Sequence, residues 1–379
     1  MRGAAVADLH LGFSAFPTLR GGRNAREQDV EIAWDRAVDT IITAQPDLVT
    51  VAGDCLHHAR VSDYAKRALQ LGLRRIAENT AARVIVIPGN HDGSKTVQVL
   101  SPVVLADGHQ RIHIVTDTQR VVFTTRAGER VNVACYPFVA LAESGLDSID
   151  PDPDCDVNVM LIHAAVRTSE ADGALPRFYA GDVSIDVGRH AEAWDVIAAG
   201  DYHEFTRLHP TRLAFYSGSI ERTSSNMWPE TAPKGVVVYD TETNELEFRD
   251  IPTRPVFDVA APHWPLMDKA VNAAELNIML SDLATKPEYR DAIVRLKVDG
   301  FPREERMQID AKLVRALKAL TFHFQLDISF AARERVAAGD RRERASQPIG
   351  VSAEQFFAED PEPVRECALE YLAAAGGVA

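Results

Sequence analysis

Asp8 and His10 are separated by one residue, and Asp201 and His203 repeat that spacing far down the chain. Between these pairs lie Gly53-Asp54-Cys55-Leu56-His57, Gly89-Asn90-His91-Asp92 and a lone His163 at the end of an apolar run. Carboxylate, carboxamide and imidazole are the donors that hard and borderline divalent cations take. Phosphodiester cleavage needs a nucleophile that is strong at neutral pH and a way to neutralise charge at phosphorus. Two cations about 3.5 to 4 Å apart provide both. The donors therefore predict a two-metal phosphoesterase centre, with Asp54, whose two oxygens can face two ions, as the bridge.

Each donor has a plainer explanation when taken alone. Asp8 and His10 fit a solvated loop, Asp54 a helix N-cap, Gly89-Asn90 a tight turn and His163 a satisfied core histidine. What argues against coincidence is that every one of them stands where a buried strand should run out.

Those strands are read from the pattern of apolar residues. Short β-branched runs at 4–7, 48–52, 84–87, 131–134, 157–162 and 196–199 alternate with amphipathic segments, which predicts an α/β layered domain. Helices are expected over 27–45, where Val30, Trp34, Val38 and Ile41 recur at helical spacing before Pro46, and over 63–78. In open α/β sheets ligands gather at the carboxyl ends of the strands, where these donors lie. A hairpin over 235–239 and 245–249 either closes this domain or opens the next. A strand, helix, strand unit follows at 293–298, 310–320 and 322–328 and should form a smaller α+β domain.

The chain is expected to divide into a catalytic domain at 1–232, a capping domain at 233–331, a polar stretch at 332–351 that reads as a linker or a solvated helix, and a helical tail at 352–379. The apolar stripe Phe356, Phe357, Val364, Leu369 and Leu372 on that tail would dock on the protein itself or on a partner.

With 379 residues, 46% of them hydrophobic, the chain can bury a large core. No apolar stretch approaches membrane-spanning length and no signal sequence precedes the first strand, so a cytoplasmic protein without a membrane partner is expected. Cys55, Cys135, Cys155 and Cys367 lack the spacing of a disulfide framework or zinc site and should be reduced and inert. The formal net charge of −14 argues against binding nucleic acid by overall attraction, leaving local charge or a second subunit to supply it.

Taken together, Asp8-x-His10, Gly53-Asp54-x-x-His57, Gly89-Asn90-His91-Asp92, His163 and Gly200-x-x-His203 resemble the calcineurin-like metallophosphoesterase superfamily over roughly the first 220 residues. Ala7-Asp8-Leu9-His10-Leu11-Gly12, Tyr216-Ser217-Gly218-Ser219-Ile220-Glu221-Arg222 and the segment from Lys234-Gly235 to Thr253-Arg254-Pro255 are similar to the SbcD type of DNA-repair nuclease.

The resemblance implies a layered sandwich in which Asp8, His10, Asp54 and His203 hold one ion and Asp54, Asn90, His163 and Asp201 the other. Manganese is expected ahead of magnesium or iron. His91 would protonate the leaving oxygen, Asp92 would orient it and His57 would position the phosphate. The family usually has histidine where this chain has Asp201. The implied activity is exo- or endonucleolytic cleavage of DNA during double-strand-break repair and recombination, by a homodimer working with an SbcC-like ABC-type ATPase at the nucleoid. Two other readings stay open: a metallophosphoesterase acting on nucleotides, cyclic nucleotides or phosphoproteins, and a scaffold with a degraded site.

Overall fold

The computed structural model describes residues 1–93, 108–144, 150–167, 184–186, 190–260, 271–331 and 362. Two six-stranded sheets form its centre. The first runs, in spatial order, Glu245–Asp250, Gly235–Asp240, Arg2–Val6, Leu48–Ala52, Arg83–Ile87 and Ile112–Ile114. Its last four strands are parallel, and Gly235–Asp240 pairs antiparallel with Arg2–Val6. The second sheet runs Thr206–Arg207, Leu213–Tyr216, Val196–Gly200, Val157–His163, Arg130–Tyr136 and Gln119–Thr124, parallel through its middle.

Alternation along the strands explains why the sheets stack. Ala5, Leu48, Ile85 and Ile87 of the first sheet meet Val133, Val159, Leu161 and Ala198 of the second in one apolar layer. The opposite face of the first sheet, carrying Val6, Val51 and Val86, is covered by helices Ala25–Ala44 and Asp63–Asn79 through Trp34, Ile41, Leu73 and Ile76. The outer face of the second sheet buries Met160, Ile162 and Ile197 with Trp194 and Tyr216. The expected α/β sandwich is thus the observed fold. Strands buried on both faces read as continuous apolar runs, as in Leu48–Ala52, where all five residues are buried.

Element ends follow local chemistry. The first helix begins at Ala25 rather than at 27, because the Asn24 side chain accepts hydrogen bonds from the Arg26 and Glu27 amides and caps the first turn. It ends with Gln45 in the left-handed region, ahead of Pro46. Short strands at Ile112–Ile114 and Gln119–Thr124 were not anticipated, since edge strands of mixed polarity leave little periodic signal, nor was Leu213–Tyr216, a buried strand of only four residues. Of the two places open to the 235–250 hairpin, it takes the first sheet, where both its strands pair.

The chain divides into two compact units. One comprises Met1–Ala261, Asn277–Lys297 and Asp310–Asp327; the other comprises Pro262–Leu276, Val298–Ile309 and Ile328–Ala379. The strand, helix, strand motif is present as Ile293–Phe301, Ala311–Leu320 and His323–Phe330. Its strands form a three-stranded sheet that begins with Val256–Ala260. The linker and tail expected at 332–351 and 352–379 lie outside the described residues, apart from Glu362. No helix among the described residues is long and apolar enough to cross a membrane.

Candidate metal centre

Register alone brings the predicted donors to one edge. Val6 lies beside Val51, Ala52 beside Ile87 and Gly200 beside His163, so the parallel strands of both sheets end together. Beyond that edge the chain bends sharply. Asp8, His10, Asp54 and Asp201 all have positive φ, at 49°, 45°, 49° and 102°. Non-glycine residues seldom adopt this region, and such strain gathers at functional sites.

The strained loops are held by one another. The Asp8 amide donates to the Gly53 carbonyl oxygen at 3.0 Å, His10 to Asp54 at 2.9 Å and Leu11 to Cys55 at 3.0 Å. Gly53, with φ of 86°, and Gly89 are required for close approach. A Cβ on the first would strike the His163 ring, and one on the second would strike Asp54.

Donor atoms converge as a result. Nε2 of His10 lies 3.1 Å from Nε2 of His203 and 3.6 Å from Oδ2 of Asp54. The other Asp54 oxygen, Oδ1, is 3.6 Å from Nε2 of His163, which is also 3.0 Å from Oδ1 of Asn90 and 3.8 Å from Oδ1 of Asp201. Donors of Asp8, His10 and His203 form one group within 4.8 Å of one another, and those of Asp8, Asp54 and His163 form a second. Asp201 reaches Asp8 through its backbone, its amide lying 3.2 Å from each carboxylate oxygen. All seven residues expected to hold metal are therefore gathered at one edge, with Asp54 turning one oxygen towards each cluster.

Electrostatics make this cluster costly without a cation. Burial pushes the Asp8 carboxyl well above the usual carboxylate range, and Asp54 and Asp201 push it the same way against the pull of His163. Burial would lower His163, but the Asp54, Asp8 and Asp201 carboxylates outweigh it and raise the imidazole to about 9. Burial and the neighbouring His203, His91 and His57 rings hold His10 well below the ordinary histidine value. Burial likewise lowers His203 to about 4. Like charges desolvated together are unfavourable unless paired or coordinated, and neutral imidazoles are metal ligands. This donor set of oxygen and imidazole fits hard or borderline divalent cations. The nearby Cys55 thiol is fully buried, and burial with the Asp92 and Asp54 carboxylates pushes its pKa well up, so it is no thiolate ligand.

His57 and His91 stand beside these groups, and their donor atoms form a third cluster with His10. Nδ1 of His57 lies 3.4 Å from Nδ1 of His10. Nδ1 of His91 is 2.8 Å from the His57 carbonyl oxygen, which can only accept, so His91 carries its proton on Nδ1 and presents Nε2 for chemistry. That carbonyl orients His91, a role expected of Asp92. The Asp92 carboxylate instead accepts the backbone amides of Cys55 at 3.0 Å, Leu56 at 2.7 Å and Gly89 at 2.9 Å, tying the Asp54 and Asn90 loops together from a fully buried position.

Sequence reasoning missed the support behind His203. Its carbonyl oxygen accepts from Nζ of Lys234 at 2.7 Å, and its ring Nδ1 lies 3.3 Å from Oγ of Ser224. A single lysine or serine carries no spacing signal. The only hint was Lys234-Gly235 at the start of a family-like segment.

Residues 1–143 match the model of the calcineurin-like phosphoesterase family. The match contains Asp8, His10, Asp54, Asn90 and His91, while His163, Asp201 and His203 lie beyond it. The DNA double-strand break repair protein Mre11 of Methanopyrus kandleri is 27% identical over 185 residues, covering 44% of this chain and 38% of that one. The protein of the same name from Haloferax volcanii is 26% identical over 258 residues, covering 66% of this chain and 52% of that one. The chain thus spans from under two fifths to about half of these relatives. TT1561 of Thermus thermophilus superposes with a TM-score of 0.38 at 11% identity, over 66% of this chain and 98% of that one, too loosely to bear on the fold. The matched segment, the paired sheets and the donors at their shared edge together make this chain similar to the calcineurin-like phosphoesterases.

Proposed function

We propose that this protein is a manganese-dependent DNA nuclease of the SbcD type, hydrolysing phosphodiester bonds during double-strand-break repair. The observation that carries the reading is the convergence of Asp8, His10, Asp54, Asn90, His163, Asp201 and His203 on one sheet edge, with Asp54 facing both halves of the cluster. The choice of DNA rests on the relatives, both named as DNA double-strand break repair proteins.

Asp8, His10, Asp54 and His203 would hold one ion, and Asp54, Asn90, His163 and Asp201 the other. Two divalent cations there would neutralise charge on a phosphate diester and make water a stronger nucleophile at neutral pH. The chain's own groups then complete the site. His91, with its Nδ1 proton committed to the His57 carbonyl, would act as the imidazolium, giving a second proton from Nε2 to the leaving oxygen. His57, edge-on to Phe13 with ring centroids 5.1 Å apart, is braced to contact the phosphate. Asp92 keeps the two metal-holding loops in register.

The same reading gives the part of 233–331 that follows the 235–250 hairpin a capping role over DNA ends and the 352–379 tail a docking role on an SbcC-like ATPase. It includes a homodimer working in the cytoplasm at the nucleoid. A partner that shares DNA binding accommodates the charge of −14. Asp201 bonds to Asp8 and approaches His163, which favours a working site over a degraded scaffold.

The test is manganese-dependent release of nucleotides from labelled duplex ends, by the protein alone and with its ATPase, beside turnover of a small phosphodiester. Cleavage of DNA with little turnover of the small ester supports the reading. Turnover of the small ester alone would move the substrate to nucleotides, and no activity on either would overturn it.

A further inference from the structure

Lys234 is 3% exposed, and its ammonium has three acceptors: the His203 carbonyl at 2.7 Å, Oγ of Ser219 at 2.9 Å and Oε2 of Glu230 at 2.7 Å. Removing one partner from a buried ion pair is expensive, whereas replacing the whole pair by apolar residues is often neutral or stabilising. The pair is therefore poorly explained as a stabilising device, and its geometry offers another purpose.

The Glu230 carboxylate neutralises Lys234 through Oε2 and accepts the Ser224 amide on Oε1 at 3.3 Å. The Ser224 hydroxyl in turn meets Nδ1 of His203. One ion pair thus reaches His203 at both ends, directly at its carbonyl and through Ser224 at its ring. The Ser219 amide adds a further hydrogen bond to the same carbonyl at 3.2 Å. With Nδ1 engaged, the remaining nitrogen, Nε2, is the one that faces His10 at 3.1 Å. Partners of this kind fix the tautomer and direction of a metal-holding histidine, and their loss typically costs 10- to 100-fold in metal affinity.

We propose that Lys234 and Glu230 are a positioning pair for His203, aiming its ring at the ion position it shares with Asp8, His10 and Asp54. The pair acts through Ser224 and through the His203 carbonyl, and touches neither substrate nor metal. This inference rests on the two-ion reading of the site.

The experiment is manganese titration of the full chain by calorimetry, beside thermal melts in EDTA, for the wild type, the double variant Lys234→Met/Glu230→Leu and Ser224→Ala. The expected result is two ions per wild-type chain. In the double variant one binding step should weaken about 10- to 100-fold while the other stays unchanged, with a metal-free melt within a few degrees of wild type. Ser224→Ala, which leaves the ion pair intact, should weaken the same step to a smaller extent. It also keeps the inference testable if the double variant does not fold. Two unaltered steps in a folded variant would overturn the inference, as would equal weakening of both steps with a lowered metal-free melt, the mark of a general structural role. Fewer than two ions on the wild type would overturn the two-ion reading itself.

Discussion

His10 and His203, 193 positions apart in the chain, bring their Nε2 atoms to within 3.1 Å of each other. Two imidazole nitrogens at this distance need a proton or a cation between them, and burial keeps both rings in the neutral form that ligates metal.

Metal should therefore stabilise the fold. At a free concentration a hundredfold above Kd, the gain is about 2.7 kcal/mol per site. Melting curves in manganese and in EDTA should separate by several degrees; superimposable curves would count against a metal centre in this cluster.

Gly53→Ala forces a Cβ into the His163 ring at a φ of 86°. Strain of this kind costs about 1 to 3 kcal/mol. Urea unfolding should show that loss, together with weaker manganese binding. A variant as stable as wild type, with normal binding, would mean that the loops give way more readily than their hydrogen bonds suggest.

Asp201→His restores the residue usual in the resembling family. Manganese-dependent cleavage should be retained or raised, because an imidazole longer than the aspartate would reach the cluster that Asp201 already approaches at 3.8 Å. Complete loss of activity in a folded, metal-loaded variant would contradict the assignment.

Among the described residues, Cys55 and Cys135 are buried free thiols and Cys155 is partly exposed. Burial pushes the Cys135 thiol up to about 12, and thiolate is the reactive form. Brief alkylation of the native protein at pH 8.5, mapped by peptide mass, should label Cys155 and spare the other two. Rapid labelling of Cys55 would show the strand edge to be open.

Much of this architecture was legible because the strongest signals are local. An apolar run such as 48–52, ended by Gly53-Asp54, declares both a buried strand and a donor at its end. Direction was less legible. Asp92 follows His91 in sequence, yet its carboxylate turns to the Cys55, Leu56 and Gly89 amides, a choice set by where the loops cross in space. The Lys234 and Glu230 pair left no pattern because its value lies in reaching His203, 31 positions from the lysine. Arg26, one position before the expected helix, drew no reading from the sequence, yet it is fully buried and bonded to Asp29 and to the Arg222 carbonyl.

The most direct test of the centre is to count metal on purified protein after dialysis against manganese, for the wild type and Asp54→Ala. Because Asp54 turns one oxygen towards His10 and the other towards His163, two ions per wild-type chain and loss of both in the variant are predicted. No bound metal in the wild type, or two tightly held ions in the variant, would contradict the account.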